Sequence, residues 1–206
     1  MDQVLYVLVS VFFILAAFTR LIALIGSRAT TQASHESNKG IQLAEAGKFQ
    51  EAITRFNRAI DLSPNDPMVL YDRGLAYYYL NQYERALQDY DDAICLNSNE
   101  SIFYYNRGLT YKALNQSDAA IKDFSQVIRL DPRNAEAYFN RGLAHNILRQ
   151  YEQAIQDFDQ AVRLEPYHTQ LFYNRGLAYQ ELKQDVRAQR DFDHAKKLEE
   201  SGDPPR

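Results

Sequence analysis

Residue types that carry catalysis are sparse in this sequence and form no catalytic pattern. The four histidines, His35, His145, His168 and His194, are far apart and lack the spacing of metal ligands. The single cysteine, Cys95, has no histidine or acid placed to activate it, and one cysteine forms no intramolecular disulfide. No phosphate-binding loop, paired-carboxylate motif or HExxH segment occurs. The sequence therefore predicts neither an enzyme nor a metal or cofactor site.

Arginine and aspartate form a second polar pattern, in which each arginine is followed 16 residues later by an aspartate. The arginines are Arg73, Arg107, Arg141 and Arg175, and the aspartates are Asp89, Asp123, Asp157 and Asp191. An earlier copy of the pattern has Lys39 and Arg55 at the two sites, so the aspartate occurs only where the arginine does. We predict a ladder of hydrogen-bonded, partly buried Arg–Asp pairs, with solvated charges at helical spacing as the alternative.

The elements that position these charges follow from a repeated stretch, which reads Tyr-Asn-Arg-Gly-Leu at residues 105–109. Its glycine recurs every 34 residues, at Gly40, Gly74, Gly108, Gly142 and Gly176. A strict period of this length is typical of a stacked array. The repeats are five blocks, 33–66, 67–100, 101–134, 135–168 and 169–202, followed by a tail at 203–206. Each block has two helical patterns, called helix A and helix B, which the third block places at about 101–114 and 118–130.

Further landmarks recur in helix B of every block. They are an alanine at Ala52, Ala86, Ala120, Ala154 and Ala188, and an aromatic at Phe56, Tyr90, Phe124, Phe158 and Phe192. With the glycines and the 34-residue period, this pattern resembles the tetratricopeptide repeat (TPR) family, whose units are helix–turn–helix hairpins. The resemblance implies an all-α fold, a right-handed superhelix of five repeats, in which helix A lines the concave face. It also implies protein binding rather than catalysis.

Small residues and rings have a packing role in this pattern. Glycine lets two helices approach closely, and the rings fill the space beside them. Helix B of the last block replaces two positions of the apolar outer row by Gln189 and Lys196. We therefore expect this helix to end the stack with a polar surface.

Helical spacing places the second, fifth, sixth, ninth, twelfth and thirteenth residues of each block on one side of helix A, called here the helix-A face. The residues predicted to contact a partner there are Tyr71, Tyr78, Tyr105, Asn106, Lys112, Phe139, Asn140, Asn146, Tyr173 and Asn174. Rings would bury the side chains of an extended or helical peptide, and asparagines would bond its backbone. The alternative is that much of this row packs between successive helices A.

Two classes of partner are disfavoured. A net charge of −4 without a basic stripe argues against nucleic acid, which needs lysine and arginine at its phosphates. Some TPR proteins grip the C-terminal carboxylate of a chaperone tail with a clamp of lysine, asparagine and arginine. Asn106 or Asn140 would supply an asparagine here, but the remaining sites hold Tyr, Leu, Ile and Glu136, so chaperone tails are disfavoured.

Residues 4–25 are almost wholly apolar, and a helix of this length spans about 33 Å, close to the thickness of a bilayer's hydrocarbon core. We predict a single-pass transmembrane anchor, with Arg20 close enough to one end to reach the headgroups. A cleaved signal peptide is the first alternative, disfavoured by the missing basic n-region. A helix in the membrane interface is the second, disfavoured by the lack of a polar face.

Arg20 lies near the C-terminal end of the apolar segment, and Arg28 and Lys39 follow it. This bias of basic residues places the repeats on the cytoplasmic side, or the stromal side of a plastid-type membrane. Residues 26–33 are predicted as a short polar connector, so that 1–32 form the anchor and linker. We interpret the chain as a membrane-anchored scaffold or assembly factor that holds a client protein. It resembles membrane-bound TPR proteins of photosystem assembly or pigment synthesis; an exported interaction module after signal cleavage is the alternative.

Overall fold

The computed structural model describes residues 26–201, which form helices and turns with no strand among them. The first helix, α1, occupies residues 26–45 of this range. It is followed by α2 (Phe49–Leu62), α3 (Pro67–Tyr79), α4 (Tyr83–Leu96), α5 (Ser101–Ala113), α6 (Ser117–Leu130), α7 (Ala135–Ile147), α8 (Tyr151–Leu164), α9 (Thr169–Glu181) and α10 (Asp185–Ser201). Odd-numbered helices are helix A of successive repeats and even-numbered helices are helix B, which confirms an all-helical array of about five repeats, whereas the block boundaries stay predictions.

The segment predicted as a short polar connector, residues 26–33, is helical throughout and belongs to α1. The hydroxyls of Thr30 and Thr31 both donate to the carbonyl oxygen of Ser27 at 2.9 Å, and Ser34 donates to the carbonyl of Thr30 at 3.0 Å. These hydroxyl groups thus find acceptors within the helix, as serine and threonine in helix interiors often do.

Each turn from helix A to helix B contains one residue in the left-handed region, a regularity that the sequence analysis did not identify. These residues are Gly47, Asn81, Asn115, Arg149 and Lys183, with φ between 57° and 74°. Glycine and asparagine accept this conformation readily, whereas arginine and lysine adopt it at a cost of roughly 1–2 kcal/mol. The backbone closes the turn regardless of side chain, as in the bond from Gln150 N to the carbonyl of His145 at 2.9 Å.

The glycines of helix A lie against the rings of helix B, as the sequence predicts. A Cβ atom added to Gly40 would lie 2.5 Å from the ring of Phe56, and one on Gly142 would lie 2.7 Å from that of Phe158. Phe56, Phe124 and Phe158 are fully buried. Glycine is therefore required because the ring occupies the space of a side chain.

The chain divides into two compact units, one ending at Leu80 and the other beginning at Asn81. In the first unit, α2 packs on α3. In the second unit, α5 contacts α7 and α7 contacts α9, so three helices A lie side by side as the array requires. At its end, Gln189 and Lys196 of α10 are exposed, as expected of a polar terminal helix.

The predicted anchor at residues 4–25 lies outside the described residues, so the anchor and its orientation stay predictions. Within the described range, every helix is too short or too polar to cross a bilayer.

Candidate functional site

Exposed apolar side chains in the described part of the chain concentrate on the helix-A face. Ten large apolar residues are exposed between residues 26 and 201, and seven of them occupy positions of that face. The seven are Ile41, Met68, Tyr79, Ile102, Ile147, Tyr173 and Leu177, whereas Leu96, Tyr167 and Val186 lie elsewhere. An exposed apolar row with this bias indicates a surface that contacts another molecule.

In the first unit this face forms a groove of about 370 Å³, bordered by α1, the start of α2 and α3. The groove, called here the Asp72 groove, is lined mainly by apolar side chains and by two carboxylates. Among them are Ile41, Phe49, Leu75 and Tyr79, with Glu45 and Asp72. The rings of Phe49 and Tyr79 stack with centroids 4.8 Å apart, and 59% of Tyr79 stays exposed. The stack therefore offers an apolar surface to a ligand.

Asp72 is the unusual member of this groove. Burial, with a smaller contribution from the charge of Asp66, raises the pKa of Asp72 from 3.8 to about 6. Its carboxylate has no hydrogen bond or ion pair with any residue of the described range. Burial also raises the pKa of the adjacent Tyr71 to about 12, so the phenol beside it is neutral. The groove thus contains a partly buried acid without a counter-charge from residues 26–201.

In the second unit the face carries a polar cluster centred on Asn140, which is 5% exposed. Lys112 Nζ donates to Asn140 Oδ1 at 2.5 Å. Asn140 Nδ2 donates to Tyr105 Oη at 3.3 Å and to the carbonyl of Glu136 at 3.0 Å. Burial lowers the pKa of Lys112 and raises that of Tyr105 to about 12.

Asn140 and Lys112 also have internal bonds that the sequence did not predict, and their contact with a partner stays a prediction. Both were predicted as partner contacts, but they bond to each other and Asn140 has used both ends of its amide internally. The physical reason is the stacking of helices A, which brings the twelfth residue of one repeat against the sixth residue of the next. Asn140 therefore links two successive helices A at this face.

The other three asparagines predicted to contact a partner, Asn106, Asn146 and Asn174, are more exposed than Asn140 or have fewer internal hydrogen bonds. Asn106 and Asn174 each donate to the carbonyl four residues earlier, that of Ile102 at 3.0 Å and that of Gln170 at 2.7 Å. Asn146 Oδ1 is buried and has no hydrogen-bond partner among the described residues. Their contact with a partner stays a prediction.

The aromatic residues predicted to contact a partner differ in their solvent exposure. Tyr71 is only 9% exposed, and Tyr78 is partly buried with its ring edge-on to Tyr79. Phe139 and Tyr105 are also partly buried. The ring centroid of Tyr173 lies 5.7 Å from that of Phe192 on helix B, and Tyr173 is nevertheless 52% exposed. Tyr173 is therefore the most accessible ring of the predicted set.

The Arg–Asp ladder is confirmed in the last three repeats. Arg107, Arg141 and Arg175 each bond their aspartate through Nε and Nη2 at 2.6–2.9 Å, forming parallel pairs. The aspartate side chains Asp123, Asp157 and Asp191 are 5–7% exposed. The pair predicted between Arg73 and Asp89 falls on two different units and stays a prediction.

Each of these arginines has a further bond that sequence reasoning missed. Nη1 of Arg107 donates to Asp91 at 2.6 Å, that of Arg141 to Ser125 Oγ at 3.0 Å, and that of Arg175 to Asp159 at 2.7 Å. In the first unit Arg73 likewise donates to Asn57 at 2.7 Å. All four acceptors lie on helix B of the preceding repeat, 16 residues before the arginine, and this spacing was the available signal.

The histidine and cysteine side chains considered for catalysis or metal binding are not arranged as such a site in the described part of the chain. His145 Nδ1 lies 2.6 Å from Gln150 Oε1, as expected of a packed histidine. Cys95 is exposed and unpaired in the described structure. Between residues 26 and 201 no cluster of histidine, cysteine and acid side chains is arranged to hold a metal.

These observations define a class of protein: an all-helical repeat protein whose exposed apolar residues follow one helix of each hairpin, as in protein-interaction modules. One family model, described as TPR repeat, matches residues 40–80 and 74–115. A second, described as tetratricopeptide repeat, matches residues 105–169. The matches together span more than half of the sequence, and the chain belongs to the tetratricopeptide repeat family.

Solved structures share this fold. MamA from Desulfovibrio magneticus RS-1, from its residue 41 to the end, is 26% identical with a TM-score of 0.80, over 84% of this chain and 98% of that chain. Another MamA crystal structure is 23% identical with a TM-score of 0.77, over 79% and 95%. YrrB, described as a TPR protein with an unusual peptide-binding site, is 20% identical with a TM-score of 0.72, over 79% and 84%. No curated protein sequence matches the chain.

Proposed function

We propose that this chain is a non-enzymatic scaffold that binds a segment of a client protein on its helix-A face. The observation that carries the proposal is the concentration of exposed apolar residues on that face, seven of ten in the described range. Peptide binding by YrrB, a protein of the same fold, is in keeping with it. Apolar side chains of the client would cover Tyr173 and Leu177 in the second unit and Tyr79 in the first.

We further propose that residues 4–25 hold the scaffold at a membrane, with the repeats on the cytoplasmic or stromal side. The apolar composition of the segment and the basic residues after it support this proposal. Tethering would raise the local concentration of the client near membrane partners, as an assembly factor requires. Assembly of photosynthetic complexes or pigment synthesis is one setting, supported by the resemblance alone.

The client-binding proposal is tested with the double variant Tyr173→Ser/Leu177→Ser, because 52% and 37% of these side chains are exposed. The control is Tyr167→Ser/Val186→Ser, which removes 50% and 78% exposed side chains away from the helix-A face. Proteins captured by full-length wild type from solubilised membranes are identified, and their affinities for the three forms are measured. We expect a loss of about tenfold or more for the face variant and little change for the control. Equal affinities for all three forms would remove the face from the proposal.

The anchor is tested separately from client binding. Mass spectrometry of the mature protein should find the N-terminal segment retained, and alkaline carbonate should leave the protein in the membrane pellet. A mature N-terminus near Ser27 to Ser34 would replace the anchored scaffold by the exported module.

A further inference from the structure

The twelfth residue of one repeat and the sixth residue of the next carry different polar groups in the two units. In the second unit Lys112, the twelfth residue of its repeat, donates to Asn140, the sixth residue of the next repeat, at 2.5 Å. In the first unit the equivalent residues are Ala44 and Asp72. An internal ammonium group therefore bonds a neutral amide in one unit, whereas a carboxylate and a methyl group occupy the equivalent positions in the other.

Because alanine replaces lysine at this position, the described lining of the Asp72 groove contains no cation to pair with the Asp72 carboxylate. Ala44 and Asp72 both line the groove, together with the apolar side chains of Ile41, Leu75 and Tyr79. Glu45, the other charged residue of the lining, is also an acid. No residue of the described range forms an ion pair or hydrogen bond with the Asp72 side chain. An acid so placed strongly favours a ligand that brings a positive charge.

We propose that the Asp72 groove binds a peptide segment in which a lysine or arginine is flanked by apolar residues, with the cation paired to Asp72. The proposal rests on the proposed function and specifies its ligand in the first unit. The ligand's cation would take the place that Lys112 Nζ fills in the third repeat. The apolar flanks would cover Ile41 and the stacked rings of Phe49 and Tyr79, of which Tyr79 is 59% exposed.

Charge and apolar surface both contribute to the selectivity. A cation alone would lose its water in the groove for a single carboxylate, so apolar contacts must add to the affinity. An apolar segment without a cation would leave the carboxylate desolvated and unpaired, which is costly. Peptides that are only basic or only apolar should therefore bind more weakly than peptides with both features.

The test uses full-length protein in detergent and three pools of labelled 12-residue peptides. Each pool has randomised Leu, Phe and Ala flanks around a fixed central residue, which is lysine, norleucine or glutamate. Norleucine keeps the aliphatic chain of lysine without its ammonium group. We expect wild type to prefer the lysine pool over the norleucine pool by about tenfold, the value of one charge-assisted hydrogen bond.

Two variants that keep the fold assign this preference to Asp72. Asp72→Asn introduces the residue found at the same position of the next three repeats. Its amide oxygen can still accept from an ammonium group, as Asn140 does from Lys112, but it lacks the charge, so the preference should fall to about threefold or less. Ala44→Lys copies the Lys112 arrangement and supplies an internal cation, so it should abolish the preference. Circular dichroism confirms that both variants are folded.

The outcomes separate this inference from the proposed function. If lysine and norleucine pools bind equally and both are lost in Leu75→Ser/Tyr79→Ser, the groove binds peptides without selecting a cation, and the inference is wrong. If no pool binds better than a Ser/Gly pool, peptide binding by this part of the helix-A face fails too. Carbodiimide cross-linking gives the occupant: a link from Asp72 to the peptide lysine supports the inference. A link to a lysine of a second copy would assign the groove to self-association instead.

Discussion

Arg107 and Asp123 are joined by two parallel hydrogen bonds, Nε to Oδ2 at 2.8 Å and Nη2 to Oδ1 at 2.6 Å. The third group of the same guanidinium, Nη1, reaches Asp91 on helix B of the preceding repeat at 2.6 Å. One side chain thus joins both helices of its own hairpin and one helix of the hairpin before it. Since each repeat of an array contacts only its neighbours, such a side chain helps to fix their stacking.

Replacing Arg107 with methionine should destabilise the second unit by about 3–5 kcal/mol, because Asp123 would remain buried and charged without its partner. The double variant Arg107→Met/Asp123→Leu should recover most of this loss, since an apolar pair removes the unpaired charge. Urea denaturation of both variants measures the difference. Arg187→Met, at an arginine whose side chain contacts Tyr179 by a cation–π interaction, is the control and should change stability by about 0.5 kcal/mol or less. A double variant no more stable than Arg107→Met would contradict this account.

A methyl group at Gly142 should destabilise the protein by about 1–3 kcal/mol, because its Cβ would lie 2.7 Å from Cε1 of the fully buried Phe158. Gly26→Ala is the matched control. Gly26 is also helical, but nothing lies within 4 Å of an added Cβ, so alanine should be neutral or stabilise by up to about 1 kcal/mol. Thermal unfolding compares the two, and Gly142→Ala/Phe158→Leu should recover part of the loss. Equal effects at the two glycines would show that the close approach is not limiting.

Asn140 and Asn174 occupy equivalent positions but should respond differently to alanine. Asn140→Ala removes bonds to Lys112, Tyr105 and the helix backbone and should cost about 1–2 kcal/mol. Asn174 donates to its own helix at 2.7 Å, so Asn174→Ala should change stability by about 0.5 kcal/mol or less. Chemical denaturation measures the free energy of unfolding of the two variants and shows whether the two losses differ. Similar losses would mean that the Lys112 bond adds nothing.

Asp72 should lower the stability of the unliganded protein at neutral pH. Its folded pKa is raised from 3.8 to about 6 by burial, so the folded state holds its proton more tightly than the unfolded state. Stability from this group is therefore highest below about pH 4 and falls as the pH rises to about 6. Asp72→Asn should be more stable than wild type by about 1 kcal/mol at pH 7, a value reduced for partial exposure, and equal near pH 4.

The measurement is the difference between wild type and Asp72→Asn across this range, because other groups titrate equally in both. The titratable groups that act on Asp72 or line its groove are Asp66, Glu45 and Tyr79. All are acidic or neutral, so none of them opposes the expected direction. A constant difference from pH 4 to pH 7 would contradict the assignment to Asp72.

Local pattern was enough to predict the helices and their internal pairing. In the third repeat, observed ends at Ala113 and Leu130 fall within one residue of those predicted. The bidentate Arg–Asp pairs were also predictable, because both partners recur with the 34-residue period. The helical conformation of the connector at residues 26–33 was not specified by its polar composition, because serine and threonine occur both in loops and, bonded to their own helix, in helices.

The amino-acid sequence by itself determined the number of hairpins, the glycine–ring contacts and the position of the polar end. Each depends on residues within one 34-residue unit, where spacing along the chain fixes spacing in three dimensions. The tertiary structure alone decided which polar groups of the helix-A face are used internally. The amide oxygen of Asn140 is paired internally because Lys112, 28 residues earlier and in the preceding repeat, reaches it. Asp72 lacks such a partner within the described range because Ala44 is too short, and that difference arises only where two repeats meet.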